Sequence, residues 1–356
     1  MAVKKFKRWL AHEQFACLRK CFDDFNLDGG AIIEVNGSPI HFARATILAL
    51  YGDHPACVKS TITGSSCPTC FAKCADFGNM NSHAEPRTVE SMRVKKTRLL
   101  ARIRGGFAGD VGLARREALL QGVNLDIHNG WISPDGVPSC FGPDPNKDNV
   151  HANSPSLTLH AWDEGLVEKF CAATVKWAID DGERLQGLNA TAVKREIDSA
   201  FTKTYHERPL NSNVEVNGRD AFQLFPHGVC DYLLRKRRLN AKWYGPLIDQ
   251  LQMYLMGSSL LSPPHKQEMA DLAHMVRQIN FMLRQPVRKD GGIEEYQAYI
   301  NHFNTKLIQY CLPHTPSGCK SIKFHCARHW GEHRRQLGCA AMEYSLERAL
   351  GMCAGG

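Results

Sequence analysis

Apolar positions recur at helical spacing over most of this chain. Residues 3–25 carry Phe6, Leu10, Phe15, Leu18 and Phe22 near a 3.6 period, with Lys and Arg between them, and end at the turn signal FNLDGG. From residue 157 onward the period returns and predicts helices over 159–179, 190–204, 221–236, 243–256, 266–283 and 293–310. Breaks rich in Gly, Pro and Asn separate them: LNATA, RPLNSN, GSSLLSPP and RKDGG. Between these helical regions lies a β-rich passage. Residues 31–35 and 40–42 flank Asn36-Gly37, the strongest short hairpin cue, and ILALY at 47–51 reads as a buried strand. That strand stops at Gly52-Asp53-His54-Pro55. An acid there is either presented to a crevice by the sheet or is a turn-former ahead of a helix. Residues 93–104 and 113–121 read as further helices. Residues 129–155 read as an irregular crossover anchored by Trp131, Cys140 and Phe141. The fold class this predicts is α+β, predominantly α.

The stretch FHCARHWGEHRRQLGCAAMEYSLERAL at 324–350 lacks Pro and reads mostly as one helix. His329 and His333 are i,i+4 on it, as are Glu343 and Glu347, and Arg328, Arg334, Arg335 and Arg348 surround them. Acid, imidazole and guanidinium on one helix suit metal-assisted work on phosphates. A solvated amphipathic helix explains the same spacing. His329-Trp-Gly-Glu332-His333 also fits the H-x-x-E-H pattern of inverted zinc peptidases, which would need a third protein ligand from Cys339, Glu343, Glu347 or Cys353.

Composition narrows the picture. The chain has 356 residues, 43% of them hydrophobic and 22% charged, which is ample for one large core or two. A formal net charge of +8 favours a polyanionic partner. The cations concentrate in RVKKTRLLARIR (Arg93, Lys95, Lys96, Arg98, Arg102) and in the run Arg235, Lys236, Arg237, Arg238, which are phosphate contacts or solvated faces. Fourteen Cys could form a disulfide framework, but the opening MAVKKFKRWL has no apolar run behind its basic residues. The expectation is an intracellular protein, nuclear or cytoplasmic and not secreted, with reduced thiols. No window approaches the roughly 18 apolar residues of a membrane span, so no membrane partner is expected. In that setting Cys67-Pro-Thr-Cys70 reads as half of a Zn²⁺ site, with Cys74, His83 and His160 competing for the other positions. A pair of buried thiols is the plainer alternative.

Several short motifs occur in a set order: GDHPA at 52–56, CPTC at 67–70, Pro86-Arg87-Thr88, LHAWDEGLVEKF at 159–170, FPHG at 225–228, RHWGEHRRQLG at 328–338 and MEYSLER at 342–348. In that order the chain resembles a DDE transposase of the Plavaka type, in the Kyakuja–Dileera–Zisupton group, from about residue 28 to 350. The resemblance implies a partial RNase H-like core with a large helical insertion. Residues 1–92 would be the RNase H-like segment, 93–320 the insertion, and 321–356 a helix completing the core. The family's second acid falls on Asp53. Its last acid falls on Glu343, with Glu347 beside it, and its K-x-H…H segment on Arg328, His329 and His333. Carboxylates suit two Mg²⁺ (or Mn²⁺) ions about 3.5–4 Å apart, one activating the nucleophile and one stabilising the leaving oxygen.

Two departures shape the expectation. Residues 1–27 read as the helix that would follow the first strands, so the first catalytic Asp is missing, and Asp23 and Asp24 are poor substitutes. The family's P-D-x-L-H becomes Ser156-Leu-Thr-Leu-His160, with Asp163 one turn on. The chain is thus expected to be an N-terminally truncated, transposase-derived protein. Its ancestral activity would be DNA strand cleavage and transfer, its partners DNA and a homo-oligomer, and its residual nuclease activity weak or nil. A non-enzymatic zinc-stabilised DNA- or partner-binding module and the zinc peptidase are the competing classes.

Overall fold

The computed structural model describes residues 17, 20, 21, 24, 31–35, 37–42, 66–79, 84–106, 108–123, 125, 151, 158–207, 228–234, 244–284, 292–315 and 319–337. The protein is predominantly helical. It divides into two units, Met1–Leu157 with His329–Ala341, and Thr158–Arg328 with Met342–Gly356. The division falls inside one helical run, 322–337.

In the first unit, β1 (Ala31–Val35) and β2 (Ser38–Phe42) pair antiparallel from Ala31↔Phe42 to Val35↔Ser38. Two residues join them, and Gly37 takes φ +78°, as a tight hairpin turn demands. Helix α1 (Val89–Gly105) opens on a capping box. Thr88 Oγ1 accepts from Ser91 N–H at 3.0 Å, and Ser91 Oγ accepts from Thr88 N–H at 2.9 Å. Helix α2 (Ala108–Leu120) folds back on α1. Leu99 is buried against Ala114 and Ala118, whose small side chains admit it, with Val123 closing the end and Met92, Ile103 and Leu125 at the margin. An Arg102–Glu117 ion pair links the two helices.

The second unit is a helical body. It runs through α3 (Thr158–Ala161), a π-helical turn (Trp162–Val167), α4 (Glu168–Gln186), α5 (Ala190–Glu207), α6 (Val229–Leu234), α7 (Tyr244–Gly257), α8 (Pro263–Arg284), α9 (Ile293–Cys311) and α10 (Ile322–Cys326). Helix α4 is its spine. Phe170, Cys171, Ala173, Thr174, Val175 and Ala178 form its buried face, at the spacing the period predicts. It stops at Gly187, whose left-handed φ of +65° and N–H bond to Glu183 O make a C-terminal cap. Trp162 packs against Phe303 with tilted rings, centroids 5.2 Å apart, and donates to Asn280 Oδ1 at 2.7 Å. Pro263 and Pro264 start α8, where a missing N–H costs nothing. Asp181 on α4 fixes that start, accepting from Ser262 N–H at 2.8 Å and lying 2.6 Å from His265 Nδ1 and 2.7 Å from Arg184.

Most expected helices occur within a few residues of their predicted bounds. Two need correction. The segment 159–179 contains the π-turn instead of continuous α-helix, and the stretch after 324 is broken. Helix α10 passes through a 3₁₀ turn, Ala327–His329, before α11 (Trp330–Leu337). The ILALY strand and most of 129–155 lie outside the described residues. Among the described residues no helix is long and apolar enough to cross a membrane.

Candidate metal centre

Cys67 and Cys70 sit on a tight turn held by short backbone bonds. Cys70 and Pro86 form an isolated antiparallel bridge, with Arg87 N–H donating to Thr69 O at 2.8 Å and Phe71 N–H to Glu85 O at 2.9 Å. Within the turn, Thr69 N–H points at Cys67 Sγ, 3.4 Å away, leaving the sulfur's other side open to a further partner. Both cysteines are buried.

That partner comes from the helical run 322–337. The ligating atoms of Cys67, Cys70, His325 and His329 all lie within 4.8 Å of one another. Cys67 Sγ is 3.4 Å from His329 Nε2. In a tetrahedral Zn²⁺ shell, bonds of about 2.3 Å to sulfur and about 2.0 Å to nitrogen set an S···N edge of roughly 3.5 Å. The observed separation matches that edge. Two thiolates and two imidazoles suit Zn²⁺ far better than a hard cation, and four protein donors close the shell.

A buried cation braces the turn. Arg87 is 1% exposed, and its Nε donates to both Cys67 O and Cys70 O at 2.8 Å. Its Nη2 donates to Gln121 O at 2.7 Å, just past α2, and its guanidinium carbon lies 4.3 Å over the Phe71 ring. Burial lowers its pKa to about 10, opposed by Cys67 and Cys70, so it remains charged at neutral pH. Pro86-Arg87-Thr88 therefore does three things in sequence: it pairs with the knuckle, clamps it, and caps α1. Gly122 permits this closeness, because a Cβ there would lie 2.6 Å from Ser66 Cβ. His151 supports the opposite side, with Nδ1 2.9 Å from Pro68 O. Burial, then the charge of Arg87, lower its pKa to about 3.

Of the further ligands expected beside Cys67 and Cys70, Cys74 is exposed in a 3₁₀ turn and His160 pairs with Glu164 at 2.9 Å, so neither joins the four-donor group. His325 and His329 stand beside the two cysteines there. His83 lies outside the described residues, as do Asp53, Glu343, Glu347 and the run Arg235–Arg238. His333 is buried 6.1 Å from His329, ring to ring. Neither of its nitrogens has a hydrogen-bond partner among the described residues, and burial followed by His329 lowers its pKa to about 3. Glu332 points to solvent. Asp163 is buried in the π-turn. Arg334 is buried too, so it is no surface phosphate contact, while Arg335 is exposed.

No family model, curated protein or solved structure matches this chain. The site's own geometry therefore carries the functional argument. Sequence reasoning missed His325, Arg87 and His151. A signal existed for the first: His325 is i,i+4 from His329, the same spacing that singled out His329 and His333.

Proposed function

We propose that this is a zinc-stapled, transposase-derived DNA-binding protein. Zn²⁺ is held by Cys67, Cys70, His325 and His329 in a structural role. The carrying observation is the four-donor group itself, which joins positions 262 residues apart at Cys67 and His329. A closed shell of four protein ligands is the pattern of structural zinc, whereas catalytic zinc keeps a position for water. That favours a stapled module over a peptidase at His329 and His333, since the nitrogen of His329 faces a thiol. The ordered motifs of a Plavaka-type element support the ancestry. The excess of Lys and Arg over Asp and Glu, 44 against 36, supports a nucleic-acid partner. The ancestry carries with it an RNase H-like core with a helical insertion, and hairpin β1–β2 would belong to its sheet. Mg²⁺-dependent strand cleavage through Asp53 and Glu343 is then the ancestral activity, weak or lost here because Ser156-Leu157-Thr158-Leu159-His160 lacks the acid of the family's P-D-x-L-H motif.

Purified protein from zinc-replete culture tests this. One zinc per chain, salt-sensitive DNA binding and little nicking with Mg²⁺ or Mn²⁺ are expected. Absence of both zinc and DNA binding would overturn the reading. Vigorous nicking that disappears in Asp53→Ala and Glu343→Ala would overturn the loss of catalysis.

A further inference from the structure

The helical hairpin α1–α2 carries exposed cations that no described residue of the first unit engages. Residues 89–120 hold eight Lys and Arg against three Asp and Glu. Half of those cations are engaged or sheltered. Arg93 pairs with Glu90 at 2.8 Å. Lys95 pairs with Glu85 at 3.1 Å and lies 4.0 Å over the Phe71 ring. Arg102 pairs with Glu117, and Lys96 is half-buried. The remaining cations are Arg98, Arg104, Arg115 and Arg116. Arg98, Arg104, Arg115 and Arg116 are exposed and make no hydrogen bond or ion pair among the described residues.

We propose that the α1–α2 hairpin, through the exposed Arg98, Arg104, Arg115 and Arg116 on the flanks of its helices, docks the phosphodiester backbone of double-stranded DNA. The inference rests on the DNA-binding reading above and gives it a location. Guanidinium forks match phosphate oxygens in a bidentate way that ammonium groups do not. The scaffold is rigid where docking needs it. The Arg87–Gln121 bond and the close fit of Gly122 against Ser66 tie the hairpin's end to the Cys67–Cys70 turn. Helices α1 and α2 contain no aromatic residue. Single strands are gripped by stacking bases on aromatics, so arginines without aromatics suit a duplex.

The test is fluorescence anisotropy of a short labelled duplex against salt. It compares the intact zinc-loaded chain with a variant carrying Arg98→Ala, Arg104→Ala, Arg115→Ala and Arg116→Ala together. Each backbone contact adds about 0.9 to the slope of log K against log salt, so the variant's slope should fall by roughly three to four. Affinity near 0.1 M salt should fall about a hundredfold or more. The Arg→Lys version should recover much of it, and Arg93→Ala should change little. Zinc content and circular dichroism report folding. Should the quadruple variant misfold, single Arg→Gln changes should each lower the slope by about one. Unchanged binding in a folded variant overturns docking through the hairpin while leaving the DNA-binding reading intact. That outcome hands the surface, with its exposed Leu113, Leu119 and Leu120, to a protein partner. Tighter binding to single strands overturns the duplex. No binding by the wild-type chain overturns both.

Discussion

Around Cys67 and Cys70 the buried side chains are largely polar or ligating: Ser66, Thr69, Arg87, His151 and His333. Along α4 and the helices packed on it they are Phe170, Val175, Leu247, Leu255, Ile300, Phe303 and Leu307. Among the described residues of the first unit, the apolar cluster on α1 and α2 is Leu99, Ala114, Ala118 and Val123 with three half-buried neighbours, small against the entropy of ordering two helices. The helical body has an extended hydrophobic core and needs no such help. A small core is workable where a metal closes a long loop and a buried guanidinium satisfies the carbonyls of the turn. Stability and metal loading should therefore go together in α1, α2 and the 66–87 segment, and be separate properties in the helical body around α4.

Stripping the zinc with a strong chelator is the hardest blow to that contrast. Structural zinc contributes on the order of 10 kcal/mol in small metal-dependent domains. Hydrogen exchange should show α1, α2 and the 66–87 segment losing protection while α4, α8 and α9 keep theirs. Uniform loss would erase the distinction. Phe303→Ala is the mirror experiment. Emptying that fully buried site beside Trp162 should cost about 3–5 kcal/mol in chemical denaturation of the helical body. Zinc stoichiometry should stay unchanged.

Arg87→Met asks how far the clamp matters to the metal. It leaves Cys67 O, Cys70 O and Gln121 O without their donor, and outer partners of this kind typically set metal affinity by about 10–100-fold. Competition with a chromophoric chelator should show a loss in that range. An unchanged affinity would make Arg87 a mere packing residue. The smallest effect belongs to Asp181. Burial alone would raise its carboxyl, but Arg184, the Ser262 N–H and His265 outweigh that and hold it well below the usual range. A depressed folded pKa gives stability that is complete above the unfolded value of about 3.9 and is lost as pH falls through that value and below it. Thermal melts of the helical body should weaken below about pH 4, and Asp181→Asn should flatten that acid limb.

Much of the helical body was legible in advance, because a helix that buries one face must repeat its apolar residues every three to four positions. Pro263-Pro264, at the end of the GSSLLSPP break, marked a helix start for an equally local reason. The π-turn at Trp162–Val167 was not legible, since widening one turn needs no particular residue type. At the site, Cys67 and Cys70 announced themselves by proximity. Their histidine partners lie more than 250 positions away in sequence, and only tertiary folding selects His325 and His329 from a His-rich chain. The H-x-x-E-H pattern drew the eye to His333, whose burial with no hydrogen-bond partner among the described residues no spacing rule encodes. Pro86-Arg87-Thr88 stood out as a motif, but that Arg87 spans the knuckle and the end of α2 is a property of the fold.

X-ray absorption at the zinc edge tests the central claim most directly. The purified chain should show two sulfur neighbours near 2.3 Å and two nitrogen neighbours near 2.0 Å, at about one zinc per chain, with the nitrogen count falling in His325→Ala. A chain that takes up no zinc, or a first shell that is unchanged by loss of His325, would contradict it.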